Sequence, residues 1–321
     1  GVNRQQPPHC PNNIDLKQAE YMNVLKHKRS NLIINIMIAI VIALTVNFSY
    51  LLSMIVAERE TTDQRQRTEQ DMAPRPEAQG ILRLYHDGYG YLKVDYNENI
   101  GVGCDGAESL GEGLRQYVLA SQNYFKRIKE QLSDLVIENC ASGGHRLEPS
   151  TMELCSQASF SDAHECTSIP IIAANVQRMI KPSQSQIWAV LRAKDDIHRT
   201  YYSLISGFLG RLCISGEIFD LPEENWQTAL DSIKFYDEIK HIIKDGFTSV
   251  IQCNVEDYND PEGYQVVLRE LETQALLIVH TFKNGANPPY KDVLKDWKIK
   301  KEFGSNLDAD FRAKAFLLER I

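Results

Sequence analysis

Basic residues are not in excess in this chain: 35 lysines and arginines stand against 43 aspartates and glutamates, for a net charge of −8. Such a balance offers no positive field to a polyphosphate and excludes general nucleic-acid binding. No glycine-rich phosphate loop, zinc-ligand spacing or EF-hand pattern occurs either. Seven cysteines are present, at positions 10, 104, 140, 155, 166, 213 and 253. Their number is odd and their spacing fits neither a disulfide framework nor a metal site, which suits reduced thiols in a cytoplasmic enzyme.

Charge is absent altogether from one stretch. Residues 32–57, opening on Leu32 and closing on Ala57, hold no charged residue over 26 positions, more than the roughly 20 needed to cross a bilayer. The run reads as a single transmembrane helix, the other reading being a buried core helix. Both it and its polar leader, residues 1–31, are too long for a cleaved signal. Lys26, Lys28 and Arg29 crowd its N-terminal flank. The positive-inside rule therefore gives a single pass with the N-terminus in the cytoplasm. That orientation sends the rest of the chain outside, whereas the cysteines suit a reducing compartment, so the two halves carry contradictory addresses. Residues 58–79 are polar and charge-dense and read as a juxtamembrane helix or a linker.

Further along, polar residues stand at the ends of strand-like runs. Tyr91-Leu-Lys93-Val-Asp95-Tyr-Asn97 and Ala158-Ser-Phe160-Ser-Asp162-Ala-His164-Glu165 each bring an aspartate to the point where an apolar run gives way to polar sequence. Between them lies Val136-Ile-Glu138-Asn-Cys140-Ala-Ser142-Gly143-Gly144-His-Arg146. Carboxylates at successive strand ends, about one βα unit apart, are what a (β/α)8 barrel uses to build a polar site at its C-terminal mouth. Lys93 and Asp95 project to one face of a strand, and the lysine can also donate to sugar hydroxyls. An aspartate fixed in this way is a plausible nucleophile; the plainer reading is an ion pair that closes a strand. Asp162 precedes a helix-like stretch and could equally be a helix N-cap or a loop ion-pair partner. The two gain weight together, because a retaining glycosidase needs one ionised and one protonated carboxyl group about 5–5.5 Å apart. Gly143 and Gly144 would let the backbone approach a ligand with no Cβ in the way.

These three segments resemble the site motifs of the family 36 α-galactosidases, written KxDxN, CxSGGxR and SD, over residues 80–321. The resemblance implies a retaining α-glycosidase built on a barrel, with the nucleophile after the fourth strand and the general acid/base after the sixth. Asp95 is similar to the nucleophile and Asp162 to the acid/base. Lys93 and Asn97 belong to the first motif, the lysine contacting sugar hydroxyls. Cys140, Ser142 and Gly143 match the turn near the C2 substituent, and Arg146 matches a motif arginine whose role could be structural. The implied partner is an α-galactoside oligosaccharide, with N-acetylgalactosamine left open at C2. The mechanism needs no cofactor, and a homo-oligomer stays open. One departure is Ala163-His164-Glu165 where many members carry Asp-Thr-Asp; His164 is either a partner that tunes Asp162 or an ordinary surface histidine.

The larger departure is that nothing before Gly80 resembles the three strands that precede the lysine-aspartate motif in family members. About 166 residues separate Gly80 from Gly246, short of the roughly 250 of a typical barrel. The expected fold class is α/β: a partial barrel of strands 4 to 8 over residues 80–246, then a small antiparallel β domain over residues 247–321, with the transmembrane helix ahead of both. Residues 184–192 and 209–216 read as the last two barrel strands, and Trp188 there could stack on a sugar or fill a barrel layer. A helix opens near Leu221 and runs to Lys244. A fusion, a misjoined gene or a recombined fragment is the economical account of the N-terminus, and a start at Gly1 agrees with a fragment. The alternative function is a single-pass membrane protein with a non-catalytic, carbohydrate-binding remnant.

Overall fold

The computed structural model describes residues 76–95, 107–141, 143–159, 167–253 and 255–321. The span at residues 32–57 lies outside them; among the described residues no helix is long and apolar enough to cross a membrane. Residues 81–321 form one compact unit.

Helices and strands alternate through the first part of the larger unit. Helix α1 (Pro76–His86) leads to strand β1 (Tyr91–Asp95), followed by α2 (Leu110–Gln131), β2 (Val136–Cys140), α3 (Pro149–Met152) and β3 (Gln157–Ser159). Then come α4 (Ile169–Val176), β4 (Ser185–Leu191), α5 (Ile197–Gly207), β5 (Arg211–Gly216) and α6 (Glu223–Asp245). The five strands are parallel and lie in sequence order, β1-β2-β3-β4-β5. Parallel strands joined by helices in order are what successive βαβ crossovers produce. The starts of the long helices are legible in their caps. Ser109 accepts the Glu112 N–H at 3.1 Å ahead of α2, and Asp196 accepts the Arg199 N–H at 2.7 Å ahead of α5, each satisfying a donor that the first turn leaves orphaned. Helix α6 instead carries Glu223 and Glu224 in its first turn and Lys244 in its last, as the helix dipole favours.

The remaining strands, β6 (Phe247–Cys253), β7 (Tyr264–Leu271), β8 (Gln274–Thr281), β9 (Trp297–Gly304) and β10 (Ala313–Arg320), form an antiparallel sheet in the order β6-β7-β8-β10-β9. Its central strands are almost continuously apolar because both faces are covered. Val267, Leu276, Ile278, Ala315 and Leu317 share a core with Ile205 and Phe208 and with Phe235, Ile239 and Ile242 of α6. On the other face Val266, Leu268, Leu277, Val279, Phe316 and Leu318 pack with Trp297, and Tyr290 stacks on Phe316 with centroids 5.4 Å apart. Phe208, Phe235 and Phe303 meet at 5.6–5.7 Å and tie α5, α6 and β9 together. The antiparallel sheet is therefore the surface on which α5 and α6 bury the faces they turn away from the parallel sheet.

A histidine sits inside this shared core. His280 of β8 is fully buried, its ring edge-on to Tyr202 at 5.1 Å. Ser206 donates its hydroxyl proton to the Tyr202 carbonyl at 2.8 Å, so toward His280 it accepts, and the ring Nε2 donates to it at 3.2 Å. The ring is then neutral, and its Nδ1 has no hydrogen-bond partner among the described residues. Burial brings this histidine down to about 3. An unfolded histidine takes its proton near 6.5. Between those values the unfolded chain binds more protons, so stability falls as pH drops through the interval, by at most about 1.4 kcal/mol per pH unit for one proton. In urea unfolding at about pH 7 and about pH 5, the His280→Gln chain should lose less stability than its parent; an equal loss would remove His280 as the cause.

Candidate functional site

The parallel sheet has two chemically different faces, and strand periodicity assigns residues to them. Register sets Lys93 opposite Glu138 and Glu138 opposite Gln157, Asp95 opposite Cys140, Ser159 opposite Gln186, Gln186 opposite Arg211, and Trp188 opposite Cys213. One face therefore carries Tyr91, Lys93, Asp95, Glu138, Cys140, Gln157, Ser159, Gln186, Trp188, Arg211 and Cys213. The other carries residues such as Leu92, Val94, Ile137, Ala158, Ile187, Ala189 and Leu191, which pack into the apolar clusters beneath the helices. A row of polar side chains on the face away from the helices is the arrangement of a ligand site.

Glu138, 2% exposed, is the centre of the polar face. The Lys93 ammonium lies 3.3 Å from its Oε1. With its amide turned to donate, Gln186 reaches both carboxylate oxygens at 3.1 Å and accepts from the Gln157 amide at 3.3 Å. Gln157 also donates to the Tyr91 hydroxyl at 2.8 Å and, at the limit of hydrogen bonding, to Glu138 at 3.5 Å. Burial raises the Glu138 carboxyl above its ordinary value, while hydrogen bonds from Ser159 and Gln157 and the charge of Arg211 pull it down. Lys93 also stands over the Trp188 ring, 5.1 Å from its centroid. That ring face is taken by a cation instead of being offered to a sugar, and the indole N–H has no partner among the described residues.

The turn after β2 is shaped by Gly143 and Gly144, at φ +70° and +142°, conformations that a side chain resists. Asn139, on the helix side of β2, donates to the Arg146 carbonyl at 2.5 Å and fastens the far end of the turn. Cys140 is buried at the strand end, with the Ser159 hydroxyl 3.5 Å from its sulfur.

Of the residues singled out in the sequence, Lys93, Asp95 and Cys140 come together on the polar face, and Gly143 and Arg146 fall on the turn beyond it. Asn97, Ser142, Asp162 and His164 lie outside the described residues. Glu138, Gln157, Gln186 and Arg211 were not singled out as site residues. The available signal was alternation: Glu138 stands two before Cys140 in a strand, so a carboxylate had to share the cysteine's face.

Two thiols, Cys155 and Cys213, are not poised for chemistry. Burial first, then the charge of Glu138, pushes Cys213 up to about 11 against the opposing pull of Lys93, and burial pushes Cys155 up to about 12. A thiol is far less nucleophilic than a thiolate. Site-resolved mass spectrometry after brief iodoacetamide treatment at about pH 8 should find Cys155 and Cys213 unmodified in the native chain and alkylated after unfolding; native labelling at either would contradict the upward shift of its thiol.

The Melibiase family profile matches residues 55–246, a stretch that also takes in the whole charged segment, residues 58–79, and the last three residues of the apolar run ahead of it. Among solved structures, a variant of the GH36 α-galactosidase AgaA from Geobacillus stearothermophilus, in complex with 1-deoxygalactonojirimycin, superposes with a TM-score of 0.62 at 16% identity, over 76% of this chain and 38% of that one. Other AgaA variants are in complex with stachyose and raffinose. The α-galactosidase from Lactobacillus brevis gives a TM-score of 0.59 at 15% identity, over 77% of this chain and 38% of its own. The galactosidase domain of the α-galactosidase-sucrose kinase AgaSK gives 0.58 at 15%, over 76% and 36%. These identities speak to the fold: a parallel α/β sheet followed by an antiparallel one. The chain spans less than two fifths of the length of each of these structures. No curated protein matches it.

Proposed function

The chain belongs to the Melibiase family, and on that premise we propose that it carries the part of a retaining α-galactosidase site built on barrel strands 4 to 8, acting on terminal α-linked galactose. The observation that carries the reading is the pairing of Asp95 with Cys140 at neighbouring strand ends, with Lys93 on the same face. Asp95 attacks the anomeric carbon and Asp162 protonates the departing glycosidic oxygen. Water, deprotonated by Asp162, then releases galactose from the covalent intermediate. Lys93 donates to sugar hydroxyls, and Cys140, Ser142 and Gly143 face C2, where a hydroxyl fits and an acetamido group stays open. Asn97, Arg146 and His164 complete the set, and no cofactor is required. The raffinose and stachyose held by AgaA variants support an α-galactoside oligosaccharide as substrate. Residues 32–57 anchor the chain in a membrane in a single pass, the N-terminus being cytoplasmic, and self-association is compatible with the reading.

Turnover by this chain alone is expected to be small. The described parallel sheet has five strands, and the carboxylates that family members bring from earlier strands to the outer hydroxyls of galactose have no counterpart among them. Catalysis needs reacting groups held to a fraction of an ångström. A single-turnover measurement avoids this limit: a galactose-configured cyclophellitol epoxide should esterify Asp95, seen by peptide mass spectrometry, and leave the Asp95→Ala chain unlabelled. Labelling at another residue, or none after prolonged incubation, would sink the reading. Replacing Asp162 with Ala should cost raffinose hydrolysis far more than cleavage of an aryl α-galactoside with a good leaving group, since the latter needs little protonation; equal losses would overturn the acid/base assignment.

For the membrane segment, the chain should be recovered with membranes, and Ala43→Lys should weaken insertion by about 2.5–3.5 kcal/mol. Recovery of the unsubstituted chain in the soluble fraction without detergent would refute the anchor.

A further inference from the structure

The polar face holds a buried carboxylate that the double displacement does not employ. Glu138 lies at the middle of β2, opposite Lys93 in register and short of the strand end where Asp95 and Cys140 stand, so it is set below the reacting groups. It is nevertheless the residue on which the other polar side chains converge. Lys93 approaches it at 3.3 Å, both oxygens are within 3.1 Å of the Gln186 amide nitrogen, and the Gln157 amide nitrogen lies at 3.5 Å. All three neighbours present N–H donors, which suits a carboxylate, an acceptor on both oxygens, better than a protonated acid.

The consequence falls on Lys93. A lysine ammonium is a point charge with three donors on a flexible stem, and by itself it selects no single position. Here it is held twice, by the Glu138 carboxylate at 3.3 Å and by the face of Trp188 at 5.1 Å. Gln157 and Gln186, linked to each other at 3.3 Å, hold the carboxylate in turn. The ion pair with Glu138 occupies one N–H of the ammonium, leaving others for a ligand.

We infer that Glu138 is the positioning residue of this site, fixing the Lys93 ammonium in the place from which it binds a sugar hydroxyl. The sugar rests on the α-galactoside reading; the pairing does not.

The test uses the full chain in detergent, labelled with 15N at the lysine side chains, and reads the ammonium signals by NMR. Lys93 should give a signal protected from solvent exchange, identified by its disappearance in Lys93→Met. In Glu138→Gln that signal should broaden or vanish, and Glu138→Asp should restore it in part. Galactose binding is measured on the same samples by calorimetry. There Glu138→Gln should weaken affinity by at least about tenfold, the loss expected when a charged hydrogen-bond anchor is removed, and Glu138→Asp by less. An unchanged Lys93 signal in a folded Glu138→Gln chain overturns the inference. So does unchanged galactose affinity when the unsubstituted chain binds galactose. If the unsubstituted chain binds no galactose, the α-galactoside reading fails, and the pairing stands or falls on the ammonium signal alone. Should Glu138→Gln not fold, Glu138→Asp decides: a signal identical to the parent's would overturn the positioning role.

Discussion

The two-residue period of the parallel strands is the constraint on which this structure turns. Helices cover one face of the sheet, so that face has to be apolar, and whatever polar residues the strands carry must gather on the other. A slip of one residue in any strand would drive Lys93, Glu138, Gln157 or Arg211 into the layer occupied by Ile137, Ile187 and Leu191, and would turn those side chains toward the site. Burying one unpaired charge costs several kcal/mol, so the register is strongly specified. The site and the core are thus the two sides of one pattern.

Within that pattern, the pair of Lys93 and Glu138 is the most expensive element. Its lysine is partly open to solvent and its glutamate is almost fully enclosed. Removing one member of a buried pair typically costs about 3–5 kcal/mol, although an apolar replacement of both is often neutral. Stability alone therefore does not account for keeping the pair. The positioning role inferred for Glu138 gives the pair a use beyond stability.

The antiparallel sheet plays a part that its position after the barrel-like segment does not suggest. Helices α5 and α6 each have an apolar face that the parallel sheet does not cover, and β7, β8 and β10 cover it. Cutting the chain after residue 246 would expose Phe235, Ile239 and Ile242, each burying on the order of 1.5–3 kcal/mol of side chain. The two sheets are consequently one compact unit joined by a helix layer, with His280 buried in the joint.

Much of this was legible in the residues. Residues 184–192 and 209–216 matched β4 and β5 within a residue or two, the helix from near Leu221 to Lys244 matched α6, and the reading of residues 247–321 as antiparallel β matched the second sheet, because a strand's period and a helix's caps are local properties. The motif residues Asp95 and Cys140 stand at adjacent strand ends, with Lys93 on the same face. What local sequence could not decide was which groups meet across strands. Lys93 has Asp95 two residues away, yet its ion pair runs to Glu138, 45 positions further on, because only β1 and β2 lying side by side in register brings that carboxylate within reach. Trp188 carries no mark of whether a sugar or a cation will cover it; the answer came from Lys93, with two strands lying between them in the sheet. The sequence by itself determined the elements, the faces and the chemistry available at the strand ends. The tertiary structure decided the partners, since electrostatic and hydrogen-bonding choices depend on distances of a few ångströms between residues far apart in the chain.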